Sequence, residues 1–358
     1  MNLTPIFDKD KLKRPFLIAG PCSAESHQQV LQTAQELLAT KQIDLFRCGI
    51  WKPRSSPNSF EGIGESGLPW LKEIKEQLHL DSCIEIGKPE HLEIALKYDI
   101  THFWIGARTS VNPFMVEEIA KSAQNLDISI FIKNPIAIDI KLWYGHFERF
   151  YKYGISRLAA IYRGGSTDIP HTYRNDPSWL HLIDFKQHYK DIPIIFDPSH
   201  IAGNRHLIQA LTQKALLLDV DGLMIETHCN PEIALSDKEQ QLPVSGYQHL
   251  LQTLTFPQST KHSVAQNDLA NYRLSIDEID DALIALIGKR TELSKMIAAY
   301  KKEHNLPILQ VDRWQQVLNE TKSKSIQLGI DPDLVIEIFQ KLHQYSIDVQ
   351  EKIIVEND

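Results

Sequence analysis

No apolar run in this 358-residue chain approaches the roughly 18 residues that a helix needs to cross a bilayer, so a membrane protein is not expected. The N-terminal stretch MNLTPIFDKDKLKRPFLIAG carries acids ahead of its one apolar piece, which reads as a strand; a secretory signal is not expected, and a cytoplasmic protein is. Cysteine is scarce: Cys22, Cys48, Cys83 and Cys229 form no C-x-x-C pair, which excludes a disulfide framework and a zinc-finger pattern. Basic excess is lacking too, since 38 Lys and Arg face 46 Asp and Glu, and a net charge of -8 is unsuited to a general nucleic-acid binder. Any basic cluster must therefore be local. What remains, with 42% hydrophobic and 23% charged residues, is the composition of a soluble globular protein long enough for two domains.

Up to about residue 256 a short β-branched or aromatic run is repeatedly followed by a longer amphipathic segment, the pattern of a parallel sheet with helical crossovers. Eight runs can be counted: FLIA (16–19), LFRC (45–48), CIEI (83–86), FWIG (103–106), IFIK (130–133), AAIY (159–162), IIF (194–196) and LMIE (223–226). Eight β/α units in about 250 residues fit a (β/α)8 barrel better than a doubly wound sheet. After Leu254 the stretch TFPQSTKHSVAQND is polar and aperiodic, which predicts a barrel over 1–256, a linker over 257–267 and a helical domain over 268–358. In that tail, apolar residues recur at spacings of three and four from Leu269 to His304, through Ile276, Ile279, Leu283, Leu286, Ile287, Leu293 and Ile297. A second helix is predicted from about Val311 to Gln327, and a third, with Asp331 as cap and Pro332 in its first turn, to about Val355. Three helices cannot bury so long a stripe alone. The tail is expected to form an intertwined homodimer.

Chemistry in such a barrel gathers where the strands end. Cys22 follows the first strand, Arg47, Lys52 and Arg54 the second, and Arg108 the fourth; Lys133 closes the fifth. Arg163 follows the sixth, Asp197 and His200 the seventh, Glu226 and then Asp237 the eighth. One Arg or Lys after a strand is most often a solvated charge. Six on one rim of an acidic protein form a positive funnel suited to phosphate and carboxylate oxygens. Cys22, His200, Glu226 and Asp237 supply a thiolate, an imidazole and two carboxylates, the donor set of one divalent transition metal such as Mn, Fe, Co or Zn rather than of a Ca or Mg cage. Each alone is more often structural; only the barrel would unite them. His228 and Cys229 are further conceivable ligands, more readily given a structural role.

The motifs IAGPCS (18–23), FRCGIWKPRSSP (46–57), IGART (105–109), FIK (131–133), Arg163, FDPSH (196–200), IETH (225–228) and ALSD (234–237), in this order over about residues 10–256, resemble the β subgroup of type I 3-deoxy-D-arabino-heptulosonate 7-phosphate (DAHP) synthases. The resemblance implies condensation of phosphoenolpyruvate with erythrose 4-phosphate, the first step of the shikimate pathway. It implies that Arg47, Lys52, Arg108, Lys133 and Arg163 hold the enol phosphate, with Lys133 and Lys52 as catalytic cations, and that Lys52, Pro53, Arg54 and Ser55 hold the sugar phosphate. It further implies that Cys22, His200, Glu226 and Asp237 hold the metal. Ser55 stands where Thr is commoner and Asn134-Pro135 where Arg-Gly is frequent. The rival 3-deoxy-manno-octulosonate 8-phosphate synthases carry a Lys-Ala-Asn-Arg-Ser-Ser-type run; the shorter Lys52-Pro53-Arg54-Ser55-Ser56 favours the four-carbon sugar.

On a straight helix Arg290 and Lys301 lie about 16 Å apart, and their long side chains can converge on one small dianion. Arg273 lies about 25 Å from Arg290 and is expected to serve a second chain's site. The order Arg273, Arg290, Lys301, Asp312-Arg313, Ser346 and Gln350 resembles the all-helical chorismate mutases of the intertwined-dimer type, over about 268–355. That implies a chorismate site made of Arg290, Lys301, Arg313, Ser346 and Gln350, with Arg273 from the partner, and Arg290 and Lys301 as its catalytic cations. Trp314 stands where the family usually has a substrate-binding Glu, and Gln310 where Asp is common. Two readings stay open for the tail: a mutase with feedback by prephenate or chorismate, or mainly a regulatory and dimerising sensor. Finally, Gly62 to Gly67 satisfy G-x-G-x-x-G, but about ten residues separate them from the preceding strand, so an NAD site is not expected and a loop before a helix at Leu68 is.

Overall fold

The computed structural model describes residues 1–8, 12, 14–52, 60–166, 172–256 and 263–355, and the chain divides into two compact units, Met1–Gln258 and Ser259–Asp358. Among the described residues the first unit holds strands β1 (Phe16–Gly20), β2 (Leu45–Arg47), β3 (Ser82–Ile86), β4 (His102–Ile105), β5 (Ser129–Lys133), β6 (Arg157–Tyr162), β7 (Ile194–Phe196), β8 (Gly222–His228) and β9 (Leu242–Pro243). Strands β1 to β8 are parallel and in chain order, and β1 pairs with β8 as well as β2, so the sheet closes into a (β/α)8 barrel. The short β9 extends β8 at the rim. All eight runs expected from the sequence are strands.

The connections carry α1 (His27–Ala39), α2 (Leu68–Leu78), α3 (Pro89–Leu96), α4 (Pro113–Ser122), α5 (Ile140–Lys152), α6 (Trp179–His188), α7 (Pro198–Ala202), α8 (Ile208–Leu217) and α9 (Val244–Thr253). Their starts are chemically specified. Ser26, Asn112, Asp139 and Asp197 accept from backbone N–H groups of the first turns of α1, α4, α5 and α7. Pro89, Pro113 and Pro198 fill first-turn positions where a missing N–H costs nothing.

The barrel lumen is apolar below and charged above. Phe16, Ile18, Leu45, Cys83, Trp104, Phe131, Ala159, Ile161, Ile195 and Met224 form one buried cluster, closed by Ile6, Phe7 and Leu12 of the N-terminal segment. Phe7 stacks on Phe16 with ring centroids 4.4 Å apart. A strand turns alternate side chains to one face, so the residues two places on, Arg47, Glu85, Gly106, Lys133, Arg163, Asp197 and Glu226, belong to the next inward layer. A larger apolar cluster fills the space between strands and helices.

In the second unit, α10 (Ser263–Glu303), α11 (Val311–Gln327) and α12 (Pro332–Val355) are the helices, and α12 packs on both others. The sequence expectation of a linker to 267 and a helix from Leu269 is corrected: α10 begins at Ser263. After Pro257 nothing in KHSVAQND breaks a helix, and polarity alone did not mark its start. Ile276, Ile279, Leu283, Leu286, Ile287, Leu293 and Ile297 are all exposed in the single chain.

Gly20, at the end of β1, has φ +145°, and a Cβ there would meet Arg47 O at 2.1 Å. That position is closed to side chains by both conformation and space. Gly20→Ala is expected to lose about 2–4 kcal/mol in urea unfolding; an unchanged midpoint would refute the close approach of β1 and β2.

Candidate active sites in the barrel and the helical tail

A cavity of about 210 Å³ opens at the C-terminal end of the strands. Lys52, Arg108, Lys133, Arg163 and Arg174 line it, together with Glu85, Asn175, His200 and Asp237. Five cations around so small a volume make an anion site. Burial pushes the Arg163 guanidinium down to about 10, Asp197 opposing and Arg174 and Arg108 adding to the effect. An incoming dianion would relieve that repulsion.

Around the cavity several of the charges are paired. Lys133 Nζ donates to Asp197 Oδ2 at 2.7 Å, and His200 Nδ1 lies 2.8 Å from the same oxygen. Burial alone would raise the Asp197 carboxyl, but His200 and Lys133 hold it well below the ordinary carboxylate range. Arg47, 1% exposed, lies over the Trp104 ring, and its Nη2 is 3.0 Å from Glu226 Oε1, an ion pair without hydrogen-bond alignment. Consequently Glu226 Oε1 and the Arg47 Nε and Nη1 groups are buried without a hydrogen-bond partner. Arg47 is not among the residues lining the cavity; it faces Glu226 and lies over Trp104.

The four expected metal ligands meet as two pairs. Cys22 Sγ lies 3.2 Å from Asp237 Oδ2, and His200 Nε2 lies 3.7 Å from Glu226 Oε1. Among the described residues no three His, Cys, Asp or Glu side chains gather into an ion-binding cluster, so a single four-ligand centre of Cys22, His200, Glu226 and Asp237 is not formed in this arrangement. Two cations intervene: Lys52 Nζ donates to Cys22 Sγ at 2.8 Å, and Arg47 faces Glu226. The donor chemistry nevertheless fits a divalent transition ion. Glu226 Oε1 has no hydrogen-bond donor, and burial lowers the His200 pKa against the opposing field of Asp197. Burial, followed by the field of Glu226, pushes the Cys22 thiol up to about 12, a shift that a coordinated cation reverses. Pro53, Arg54 and Ser55 lie outside the described residues. His228 and Cys229 do not line the cavity: His228 Nε2 lies 3.8 Å from Glu25 Oε2, and the Cys229 N–H donates to Thr33 Oγ1. Gly64–Gly67 form a 3-10 turn that leads into α2, well past the end of β2, which is not the strand-end setting of a dinucleotide turn.

In the tail, Arg290 Nη1 donates to Leu342 O at 2.9 Å and to Ser346 Oγ. Lys301, buried, donates to Ile308 O at 2.5 Å, and burial lowers its pKa. Gln350 is buried and its Oε1 has no hydrogen-bond partner. Arg290 and Ser346 are thus in contact, with Gln350 one turn along α12 from Ser346. Arg273 and Arg313 are exposed.

With both sites described, their relatives can be compared. Residues 9–260 match the DAHP synthetase I family, and residues 272–351 match chorismate mutase type II. The chain belongs to the DAHP synthetase I family. It is a bifunctional enzyme, a transferase in the barrel and an isomerase in the tail. It is 30% identical to a phospho-2-dehydro-3-deoxyheptonate aldolase of Thermotoga maritima over 240 residues, 66% of this chain and 68% of that protein. It is 29% identical to a 2-dehydro-3-deoxyphosphooctonate aldolase of Burkholderia multivorans over 281 residues, 70% of this chain and 93% of that protein. The crystal structure of the Thermotoga maritima DAHP synthase superposes with a TM-score of 0.60 at 27% identity, covering 69% of this chain and 70% of that one.

Sequence reading gave no role to several residues of the DAHP synthetase site. Asp197 binds both Lys133 and His200 and caps α7; its spacing of two from Ile195 was the available signal. Asn134 accepts from Arg163 N at 2.8 Å and donates to Gly164 O, so the departure from Arg at this position ties the loops after β5 and β6 together behind Arg163. Gln240 Nε2 donates to Glu226 Oε2 at 2.6 Å, and Arg174 donates to Asp237 Oδ1 and Gln240 Oε1. Neither carries a periodic signal. Asp197→Leu is expected to cost about 3–5 kcal/mol in denaturant unfolding by stranding Lys133, and Lys133→Met/Asp197→Leu to recover most of it; equal losses in both would refute the buried pairing.

Proposed function

We propose that the barrel condenses phosphoenolpyruvate with erythrose 4-phosphate to DAHP and phosphate, and that the tail rearranges chorismate to prephenate as an intertwined homodimer whose ligand feeds back on the barrel. The observation that carries the first part is the five-cation cavity backed by the Lys133–Asp197–His200 cluster. Two anionic substrates need that much positive charge to approach each other.

In this reading Arg108, Lys133 and Arg163 grip the enol phosphate, with Arg47 adding its field from behind, and Lys52, Pro53, Arg54 and Ser55 take the sugar phosphate. The enol carbon bonds to the aldehyde carbon, water adds at C2, and the C2–O bond breaks as phosphate leaves. Lys133, oriented by Asp197, stabilises the charge that develops at the enol end. Held by Cys22, His200, Glu226 and Asp237, a divalent ion of the Mn, Fe, Co or Zn class would polarise the aldehyde oxygen. The short Lys52-Pro53-Arg54-Ser55 run favours the four-carbon over the five-carbon sugar.

For the tail, Arg290 and Lys301, with Arg313, Ser346 and Gln350 and the partner copy's Arg273, hold the two carboxylates and the ether oxygen of chorismate. No covalent catalyst is needed, because cations beside the breaking C–O bond and a compressed conformer suffice. The exposed stripe of Ile276, Leu283, Leu286, Leu293 and their neighbours supports pairing with a second copy.

Phosphoenolpyruvate consumption is expected with a four-carbon but not a five-carbon aldose phosphate, to stop on chelation and to return with a divalent transition ion. Activity unchanged after complete metal removal would refute the ligand assignment. Lys133→Met is expected to lower kcat about 10³-fold, and Arg290→Ala to lower chorismate turnover about 10²-fold or more. Saturating prephenate is expected to slow the barrel reaction; an unaffected rate removes the feedback. Light scattering should give twice the chain mass or a multiple of it, and a monomer would refute the shared site.

A further inference from the structure

On α11 Trp314 occupies the position at which the resemblance implies a carboxylate, and it has a partner. Its ring stacks on His343 of α12, with centroids 4.0 Å apart and planes 4° from parallel. The spacing from His343 to Ser346 and from Ser346 to Gln350 is three and then four, so all three lie on one face of α12. That face carries Ser346, which Arg290 donates to, and Gln350, whose Oε1 is buried without a partner. His343 Nε2 is likewise buried without a hydrogen-bond partner. Unpaired buried polar atoms are expensive, and two on one helix face beside a buried lysine and a seated arginine mark a place prepared for a polar ligand.

We propose that His343 is a ligand-contacting residue of the helical site, its Nε2 hydrogen-bonding the dianion held by Arg290 and Lys301 and taking the role that a carboxylate at position 314 would otherwise fill. The inference rests on the chorismate reading of the tail and adds the residue that sets its pH response.

The stack fixes the ring. Trp314 covers one face of the imidazole, so its plane cannot turn and Nε2 keeps one direction. The groups acting on it are Arg290 and Lys301 on α10, with Trp314 of α11 stacked on the ring, while Ser346 and Gln350 further along its own face of α12 are neutral. Among the described residues no carboxylate is among the groups that shift it. Burial, then Arg290 and Lys301, therefore hold the imidazole pKa below its ordinary value in the free site. A dicarboxylate entering between the two cations cancels their field and supplies acceptor oxygens, so the pKa rises in the complex. The sign follows. Added affinity is complete below the free-site pKa and fades as pH rises through the bound-site pKa, and binding takes up protons between the two.

The test uses the full chain and prephenate, the non-reacting product, in calorimetric titrations at about pH 6.5 in buffers of low and high ionisation enthalpy. Wild type should take up a fraction of a proton. His343→Leu, which keeps an apolar partner for Trp314, should bind about tenfold more weakly with no proton uptake, with unchanged helix content by circular dichroism. His343→Gln should recover part of the affinity but none of the pH dependence, which a merely structural histidine would not explain. Unchanged affinity and proton uptake in His343→Leu would overturn the assignment of His343 alone. A wild type that neither converts chorismate nor binds prephenate would overturn the chorismate reading and this inference with it.

Discussion

The barrel depends on a layer of charge being kept neutral inside a closed sheet. Arg47 and Lys133 share the upper lumen with Asp197 and Glu226, on top of an interior made of Trp104, Phe131, Ile161, Ile195 and Met224. Unpaired, any one of these ions would be too costly to bury. Paired as Arg47 with Glu226 and Lys133 with Asp197, they form a preorganised field just behind the cavity. Catalytic polarity thus depends on structural polarity: the same Asp197 oxygen that neutralises Lys133 also contacts His200.

The tail solves the problem of holding cations in another way. Arg290 and Lys301 are seated on backbone carbonyls, Leu342 O and Ile308 O, rather than on carboxylates. A carbonyl fixes a cation without cancelling its charge, so the field is left for a ligand. In the barrel, by contrast, Lys133 and Arg47 are paired with the Asp197 and Glu226 carboxylates, and five cations face two carboxylates around the cavity. Prephenate or chorismate in the tail would therefore meet a site with little competing negative charge.

The legibility of these two sites in the sequence differed for a geometric reason. Strands in a closed parallel barrel are buried on both faces, so they appear as short runs that are apolar except where Arg47, Glu85, Lys133 and Glu226 enter near the C-terminal end, and all eight are legible. Their ends then fix the inward register, which is why Lys133 and Asp197 could be placed at the rim. Arg174, Asn175 and Gln240 come from the longer loops, where no period operates, and only the folded chain brings them to His200, Arg163 and Glu226. The start of α10 is hidden for the opposite reason: Ser263 to Asp268 carries no apolar residues at helical spacing, and an apolar stripe cannot announce a helix before the stripe begins.

Departures from a family pattern proved informative where they touched a neighbour. Asn134 leaves Lys133 itself unaltered but binds the Arg163 backbone, so a departure beside one cavity cation acts on another. Trp314 removes an acid from α11, and its stacking on His343 turns an apparent loss into a rearranged contact. Gly62 to Gly67 show the converse. Gly62 has φ +97°, and a Cβ there would meet Ile50 O at 2.2 Å, so both backbone and space call for glycine, a local need that by itself produces part of a G-x-G-x-x-G string. A motif carries function only when its context demands the same residues for the same reason, and here the context after β2 demands them for the turn into α2.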